Sequence, residues 1–388
     1  MVIYIVLLLI IYLLGCVLKP NSTIKGRKYY VVCSFFLIFL LNALRAPEIG
    51  IDLGKYYARH YADFAHLPWD NLQSVTISGD WEIGFCVFCK LLTYISENTQ
   101  LFIVVTSAII VIPYGVFIYE NCEDVVFGTT AYVLYNLLFA NMNTVRQALA
   151  VSIVIWGYKY LRNKQYIKYL LAVLLAASFH KSAIVALVMV VVDLVKLTKP
   201  RLILLFALLG LIPAIYSSIF TKLLGLSFLS ESYDIYSSGR HAVGYVNWNS
   251  MGQFFFPMFI FALLIMYAKP WKELSKNKRE GKKWRIGIID REKLNEKNWS
   301  LSTVALGVYL VAVSRFFVFF VFVVGRLSQY FVPFMFIGFA DAKKYIPDRN
   351  TRIFVKYGTY ILMLLYFLYI GYRSGNANYG TVPYKFFW

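Results

Sequence analysis

Apolar runs of roughly 15–25 residues recur along the whole chain, and short polar or basic stretches separate them. Each run is long enough to cross the hydrocarbon core of a bilayer as a helix, and no ten-residue alternating strands of a barrel type occur. The pattern predicts an all-α, polytopic integral membrane protein with one transmembrane domain, residues 1–388. The predicted helices cover residues 2–18, 29–44, 101–119, 126–141, 146–161, 166–180, 182–197, 202–220, 251–268, 301–323, 327–341 and 353–372.

Composition supports the membrane assignment. Hydrophobic residues make up 60% of the chain and the mean hydropathy is +0.61. The net charge of +19 would raise the question of nucleic acid in a soluble protein. Here the charge lies mainly in short loops, where it predicts the cytoplasmic side, contact with membrane lipids and no nucleic-acid partner. The basic segments are Lys19–Lys28, Lys159–Lys168, Lys196–Arg201, Lys269–Lys297 and Lys343–Lys356.

The segment Trp81–Ile95 decides the topology. If it crossed the membrane, the basic loop Lys159–Lys168 would lie outside. Because the segment is short and carries Glu82 and Lys90, we interpret it as a re-entrant or interfacial helix. About twelve crossings then remain, both termini lie outside, and Val2–Leu18 is a retained anchor. The long loops are the external segments 45–100 and 221–250 and the basic cytoplasmic loop 269–298.

Three arginines are candidates for binding a polyanion. Arg146, in "NTVRQALA", begins an apolar helix at its predicted outer end, and the guanidinium fork matches phosphate. Arg326 begins "RLSQYFVPF" at the same predicted face, while Arg315 lies inside an apolar run, where an unpaired charge is costly. Snorkelling to lipid headgroups is the alternative for Arg146 and Arg326. Gln147 is a candidate neighbour in the same site.

Two acids lie near the predicted outer surface. Asp52 follows Gly50 in "LRAPEIGIDLGKYYARHYADF", where its carboxylate could accept a proton from a sugar hydroxyl. If the stretch is helical, Asp52 shares a face with Tyr56, Arg59 and Asp63, and an Arg59–Asp63 pair on a solvated face is the alternative. Glu82, in "GDWEIGF", is the second acid, and its alternative role is a charge on the helix dipole.

Two further segments carry polar candidates. "ASFHKSAI" places His180 and Ser182 at a predicted external turn, where a hydrogen-bonded structural histidine is the alternative. Arg240 lies in an external loop whose Tyr, Trp and Asn residues are typical of a saccharide-binding surface, with loop packing as the alternative. No HExxH, DxD, Walker or Rossmann motif is present, so we expect no metal and no nucleotide cofactor. The cysteines are expected to be small buried hydrophobes.

Taken together, these motifs resemble the EpsG-like group of Wzy-type exopolysaccharide and O-antigen polymerases. The matching pieces are "LRAPEIGIDLGKYY", "WEIGF", "VRQALAVSI", "FHKSAI", "RLSQYF" and the ending "VPYKFFW". They span most of the chain, and "RQALA" followed about thirty residues later by "FHKSA" is the most specific pair. The group's pattern of arginine, glycine, acid and tyrosine is filled by Arg45, Gly50, Asp52 and Tyr56. Arg315 is not part of that pattern.

The resemblance implies a GT-C-like glycosyltransferase of the bacterial inner membrane that acts at the outer, periplasmic face. Its substrates would be two undecaprenyl-diphosphate-linked glycans, one donor and one acceptor, and a separate partner could regulate chain length. Arg146 and Arg326 would bind diphosphate with Arg45 as a helper. Asp52 would be the preferred general base, with Glu82 and His180 as rivals.

Two other functions remain open at this stage. A glycan ligase or a sugar O-acyltransferase would act at the same face, and the His180 and Ser182 pair would fit acyl transfer. A flippase for the lipid-linked sugar is the third hypothesis, although transporters usually carry ionisable groups near the membrane midplane.

Overall fold

The computed structural model describes residues 1–75, 81–195, 199–208, 248–267, 299–319, 322–344, 346–372 and 379–388. Every regular element in these ranges is helical. The α-helices are α1 (Val2–Leu18), α2 (Ile24–Ala43), α3 (Ala58–His60), α4 (Ile83–Thr93), α5 (Thr99–Asn121), α6 (Val125–Leu134), α7 (Leu137–Asn143), α8 (Val145–Arg162), α9 (Tyr166–Phe179), α10 (Val188–Leu194), α11 (Lys199–Leu208), α12 (Trp248–Tyr267), α13 (Leu301–Phe316), α14 (Pro333–Lys344) and α15 (Arg349–Tyr369).

Four helices of the described ranges are long and apolar enough to cross a membrane, and a fifth span results if α6 and α7 count as one. The four cover Thr99–Asn121, Ser250–Tyr267, Leu301–Phe319 and Arg349–Tyr372. The all-helical prediction is confirmed, while the number of about twelve crossings stays a prediction. The predicted re-entrant segment contains α4, whose eleven residues extend only about 16 Å, less than the hydrocarbon core.

Several predicted helices are broken; residues 327–341, for example, begin within a 3₁₀ segment, Phe322–Tyr330, and become α-helical only at Pro333. Residues 126–141 form α6 and α7, which meet at a bend of 52°. Asn136 stands at the break with φ 61°, a left-handed conformation that asparagine adopts more readily than most residues. Residues 182–197 are not one α-helix either, because a 3₁₀ segment, Lys181–Leu187, precedes the short α10. Ile184 and Val185 are β-branched, which weakens α-helix propensity there.

The chain divides into two compact units. In the first, residues 1–187 and 353–388, the turns with predicted cytoplasmic location meet at one end. Arg27 donates from Nε to the carbonyl of Tyr119 at 2.9 Å, and Arg162 Nη2 lies 3.3 Å from Glu120 Oε2. The opposite ends of the helices carry Arg45 after α2, Glu82 before α4, Arg146 in the first turn of α8 and His180 after α9. The predicted sidedness requires this grouping of helix ends.

In the second unit, which falls within residues 188–284 and 299–352, α12, α13 and α14 pack together. Thr303 donates to the Asp193 carboxylate at 3.2 Å, which joins α10 to α13. Tyr309 donates from its hydroxyl to the carbonyl of Leu205 at 2.9 Å, which joins α11 to the same helix. Polar side chains thus help to fix the register of helices that pack mainly through apolar, non-directional contacts.

The C-terminal tail, Tyr379–Trp388, is bonded to the segment that follows α2. Phe386 forms an isolated antiparallel bridge with Arg45, and Gly50 N donates to Gly380 O at 3.0 Å. Tyr4 of α1 donates from its hydroxyl to Thr381 O at 2.7 Å. The "VPYKFFW" ending therefore stabilises the backbone that leads to Asp52.

Gly50 allows the closest of these contacts. Its φ of +108° is strained for any residue with a side chain, and a Cβ there would lie 2.6 Å from Met142 O. We expect Gly50→Ala to lower the free energy of unfolding by at least about 2 kcal/mol. The measurement is the temperature at which half of the detergent-purified protein remains monodisperse, because this temperature falls when the free energy of unfolding falls.

Gly358→Ala is the matched control. Gly358 lies inside α15, and a Cβ there would meet no atom within 4 Å. Alanine favours a helix by about 1 kcal/mol over glycine, so this variant should be as stable as the original or more so. Equal stability of the Gly50→Ala and Gly358→Ala variants would contradict the packing assigned to Gly50.

Candidate functional site

Arg146 lies in the first turn of α8. Helices α7 and α8 are joined at the single residue Thr144, so the start of α8 is held tightly beside the end of α7. The neighbours Val145 and Gln147 are buried, whereas the Arg146 side chain remains 18% exposed. An arginine in this position adds its charge to the positive dipole of a helix N-terminus, and the two together favour anions.

Glu82 is the ionic partner of Arg146. Its Oε2 lies 2.6 Å from Arg146 Nη1, and its Oε1 accepts from the backbone amide of Lys181 at 3.0 Å. Glu82 is the residue before α4, and its side chain makes no capping bond to that helix. The carboxylate therefore joins the starts of α4 and α8 to the turn after α9. Its position at the N-terminus of α4 also fits the predicted alternative, a charge on the helix dipole.

Two aromatic rings flank the same guanidinium. The centre of the Arg146 guanidinium lies 5.8 Å from the Tyr57 ring centroid and 5.6 Å from that of Trp81. Arg146 Nε also donates to the Tyr57 hydroxyl at 3.4 Å. Cation–π contacts of this kind contribute about 0.5–2 kcal/mol each, the larger values where water is excluded. Tyr57 and Trp81 thus orient the arginine, and both were missed as candidates from the sequence.

His180 and Ser182 form the third part of the site. His180 ends α9 in extended conformation, and its Nδ1 lies 2.9 Å from Ser182 Oγ and 3.3 Å from Ser182 N. Gly84 brings this turn close to α4, since a Cβ at Gly84 would lie 2.7 Å from Ser178 Cβ. The Lys181 amide then reaches Glu82. Residues from "WEIGF", "VRQALA" and "FHKSAI" are therefore brought together by direct contacts.

The backbone of Asp52 is bonded to the end of α7, at the same end of the first unit as Arg146. Its amide donates to Asn143 Oδ1 at 2.7 Å, and Asn143 lies three residues before Arg146. The Asp52 side chain is partly exposed. The following residues form a π-helical turn, Leu53–Tyr57, in place of the regular α-spacing expected for this stretch. Consequently Tyr57 faces Arg146, and Tyr56 is 50% exposed.

Three further predictions concern the partner of Asp63, the position of Gln147 and the burial of the cysteines. Asp63 Oδ2 lies 2.9 Å from Nδ1 of His60, so its observed partner is not Arg59. Gln147 is buried in α8 with 2% of its surface exposed. The prediction that the cysteines are buried is confirmed for Cys86, Cys89 and Cys122 and is wrong for Cys16 and Cys33, which are exposed.

Arg45 is enclosed, with only 1% of its surface exposed. Its Nη1 donates to Ser107 Oγ at 3.3 Å and its Nη2 to Met142 O at 3.4 Å, and it also bonds Asn42. Burial lowers its pKa to about 10, so the guanidinium stays protonated at neutral pH. These contacts favour a structural role for Arg45, because direct phosphate binding would require them to open.

Arg315 and Arg326 belong to the second unit. Arg315, in the last turn of α13, donates to the Gln253 side chain of α12. Its Nη1 lies 3.5 Å from the position that a Cβ would take at Gly325, the residue before Arg326. The unit therefore brings Arg315 next to the segment that carries Arg326, which is partly exposed.

Some predictions concern residues outside those described. Arg240 is one of them, as are most of the external loop 221–250 and almost all of the basic loop 269–298. Within the ranges that are described, no group of three or more His, Cys, Asp or Glu side chains could hold a metal ion.

Comparison with known proteins identifies the family. The sequence model of the EpsG family matches residues 28–386, nearly the whole chain. No curated protein and no solved structure matches significantly. The matched range contains five of the six motifs on which the resemblance rests and all but the last two residues of the sixth, and that resemblance is thereby confirmed. The chain belongs to the EpsG family.

Proposed function

We propose that this protein polymerises lipid-diphosphate-linked oligosaccharide repeat units at the outer face of the bacterial inner membrane. Family membership supports a role in exopolysaccharide synthesis. The observation that carries the proposal further is the arrangement at Arg146. A partly exposed arginine at a helix start, oriented by Glu82, Tyr57 and Trp81, is suited to hold a diphosphate.

The proposed reaction transfers a glycan chain from its lipid diphosphate to the acceptor sugar. The bond between the donor's anomeric carbon and a diphosphate oxygen breaks, and the lipid diphosphate leaves with the electron pair. An acceptor hydroxyl oxygen forms the new glycosidic bond and loses its proton to a general base. Arg146 stabilises the charge that develops on the leaving diphosphate, the kind of electrostatic effect that usually contributes most to catalysis.

Asp52 is the carboxylate best suited to act as the base. Both oxygens of Glu82 are engaged, one by Arg146 and one by the Lys181 amide, so the carboxylate is occupied in joining three segments of the chain. Asp52 is held through its backbone amide, and its side chain is partly exposed. Glu82 is then a positioning residue. His180 is the rival candidate for the base. We propose that Arg326, together with Arg315, binds the second lipid diphosphate.

O-acyl transfer is the second candidate function. The 2.9 Å contact between Ser182 Oγ and His180 Nδ1 is the distance expected between a nucleophile and its base. In the polymerase proposal this hydroxyl supports the turn that bonds to Glu82 and is not the nucleophile.

The first test concerns Arg146. Arg146→Lys keeps the charge but loses the fork, so we expect kcat/KM for polymerisation to fall at least about 100-fold. Activity is measured as the ladder of products from purified lipid-diphosphate-linked repeat units, per folded and inserted molecule. Arg162→Lys is the control, because Arg162 lies in the same helix, at its other end, and is also paired with a glutamate. Full activity of Arg146→Lys would contradict the proposal.

The second test separates the base from the positioning residue. Asp52→Asn should lower kcat about 10²- to 10⁴-fold with little change in donor KM. Glu82→Gln preserves the acceptor for the Lys181 amide but removes the charge opposite Arg146, so donor KM should change more than with Asp52→Asn. The assignment is wrong if Glu82→Gln abolishes turnover while Asp52→Asn retains it.

The third test distinguishes polymerisation from acyl transfer. Ser182→Ala removes the hydroxyl beside His180 and should leave the polymer ladder within about threefold of the original, since no covalent intermediate forms on serine. Loss of all product, together with an acylated Ser182 trapped in the original protein, would favour acyl transfer.

A further inference from the structure

A long apolar groove lies between α2 and α5 in the first unit, away from the site at Arg146. Its volume is about 650 Å³, and its walls are aliphatic and aromatic except at one end. Lys28 and Tyr119 form that end. Lys28 follows Arg27, which bonds Tyr119 O, so this end belongs to the predicted cytoplasmic side.

Small residues on α5 create the groove. Ala108 and Gly115 are seven residues apart and therefore lie on the same face of the helix. Phe35 of α2 fills part of the space in front of Gly115, where a Cβ would come within 2.9 Å of its Cγ. Phe35 itself is buried, whereas Phe36 and Ile112 at the rim are exposed. The groove therefore has a packed floor and an open apolar rim.

The dimensions of the groove match one leaflet of a bilayer. Its walls run from Lys28 to Phe39 on α2 and from Tyr119 to Ala108 on α5. Eleven helical steps correspond to about 16 Å, roughly half of the 30 Å hydrocarbon core. Lys28 and Tyr119 lie at the predicted cytoplasmic end of the groove and Phe39 and Ala108 at its other end, so Lys28 would lie at headgroup depth and Phe39 toward the midplane.

The groove and its charged end define the chemistry of a ligand. An apolar chain would fill the walls, and an anionic group would meet the Lys28 ammonium, with the exposed Lys25 one turn away. The substrates' diphosphate is proposed to bind at the opposite end of the unit, so their headgroup would not meet Lys28. We propose that the groove binds an anionic phospholipid of the cytoplasmic leaflet, with one acyl chain between α2 and α5 and its phosphate at Lys28.

The test is thermal stabilisation of the full-length, detergent-purified protein by added lipid. Dioleoyl phosphatidylglycerol should raise the midpoint of thermal unfolding by about 4 °C or more, and dioleoyl phosphatidylcholine by clearly less. Ala108→Phe fills the groove and Lys28→Glu reverses the charge, so each should remove the preference for phosphatidylglycerol. Lys168→Glu, an exposed lysine of the same predicted side, is the control and should keep it.

Native mass spectrometry of the same samples identifies the occupant. Retention of phosphatidylglycerol by the original protein and by Lys168→Glu, with loss in Ala108→Phe and Lys28→Glu, is the expected result. Equal phosphatidylglycerol responses in all four proteins would overturn the proposal. It would also be overturned if a polyprenyl phosphate were retained instead, or if Ala108→Phe converted a dimer to a monomer, which would make the groove an interface between copies.

Discussion

The ion pair between Glu82 and Arg146 is the interaction on which the arrangement of the candidate site depends. The two side chains are 9% and 18% exposed, so their attraction acts with little screening by water. Removing one partner of such a pair typically costs on the order of 3 kcal/mol, because the other charge is left uncompensated. The same carboxylate bonds the Lys181 amide, and the pair therefore fixes three separate segments of the chain at once.

This geometry is possible because the backbones of neighbouring segments approach each other closely. Gly84 lets α4 and α9 meet, and Gly50 lets the loop before Asp52 lie against the end of α7. The C-terminal tail completes that loop by bonding Arg45, Ala46 and Gly50 through its main chain. Arg146 and Asp52 are thus positioned by glycines and by main-chain bonds that have no reactive group of their own. This is how motifs far apart in the chain can contribute to one site.

Much of this could be predicted from the sequence, and the rest could not for physical reasons. Glu82, Arg146 and His180 are detectable because a charged or polar group at the head of an apolar helix is costly without a role. The contacts of Glu82 are not detectable, since they join it to Arg146, 64 positions away, and to the Lys181 amide, 99 positions away. The π-helical turn adds a residue to the expected spacing, so Tyr57 rather than Tyr56 faces the guanidinium. Arg45 follows the family pattern, yet only tertiary contacts reveal that it is buried.

The central claim is that Arg146, held by Glu82, binds the lipid diphosphate. An experimental structure of the full-length protein with a bound lipid-diphosphate-linked repeat unit tests it most directly. We expect phosphate oxygens within hydrogen-bond distance of the Arg146 guanidinium at the start of α8, with Tyr57 and Trp81 still flanking it. A diphosphate bound elsewhere, with the Glu82–Arg146 pair intact and out of contact with it, would contradict the account.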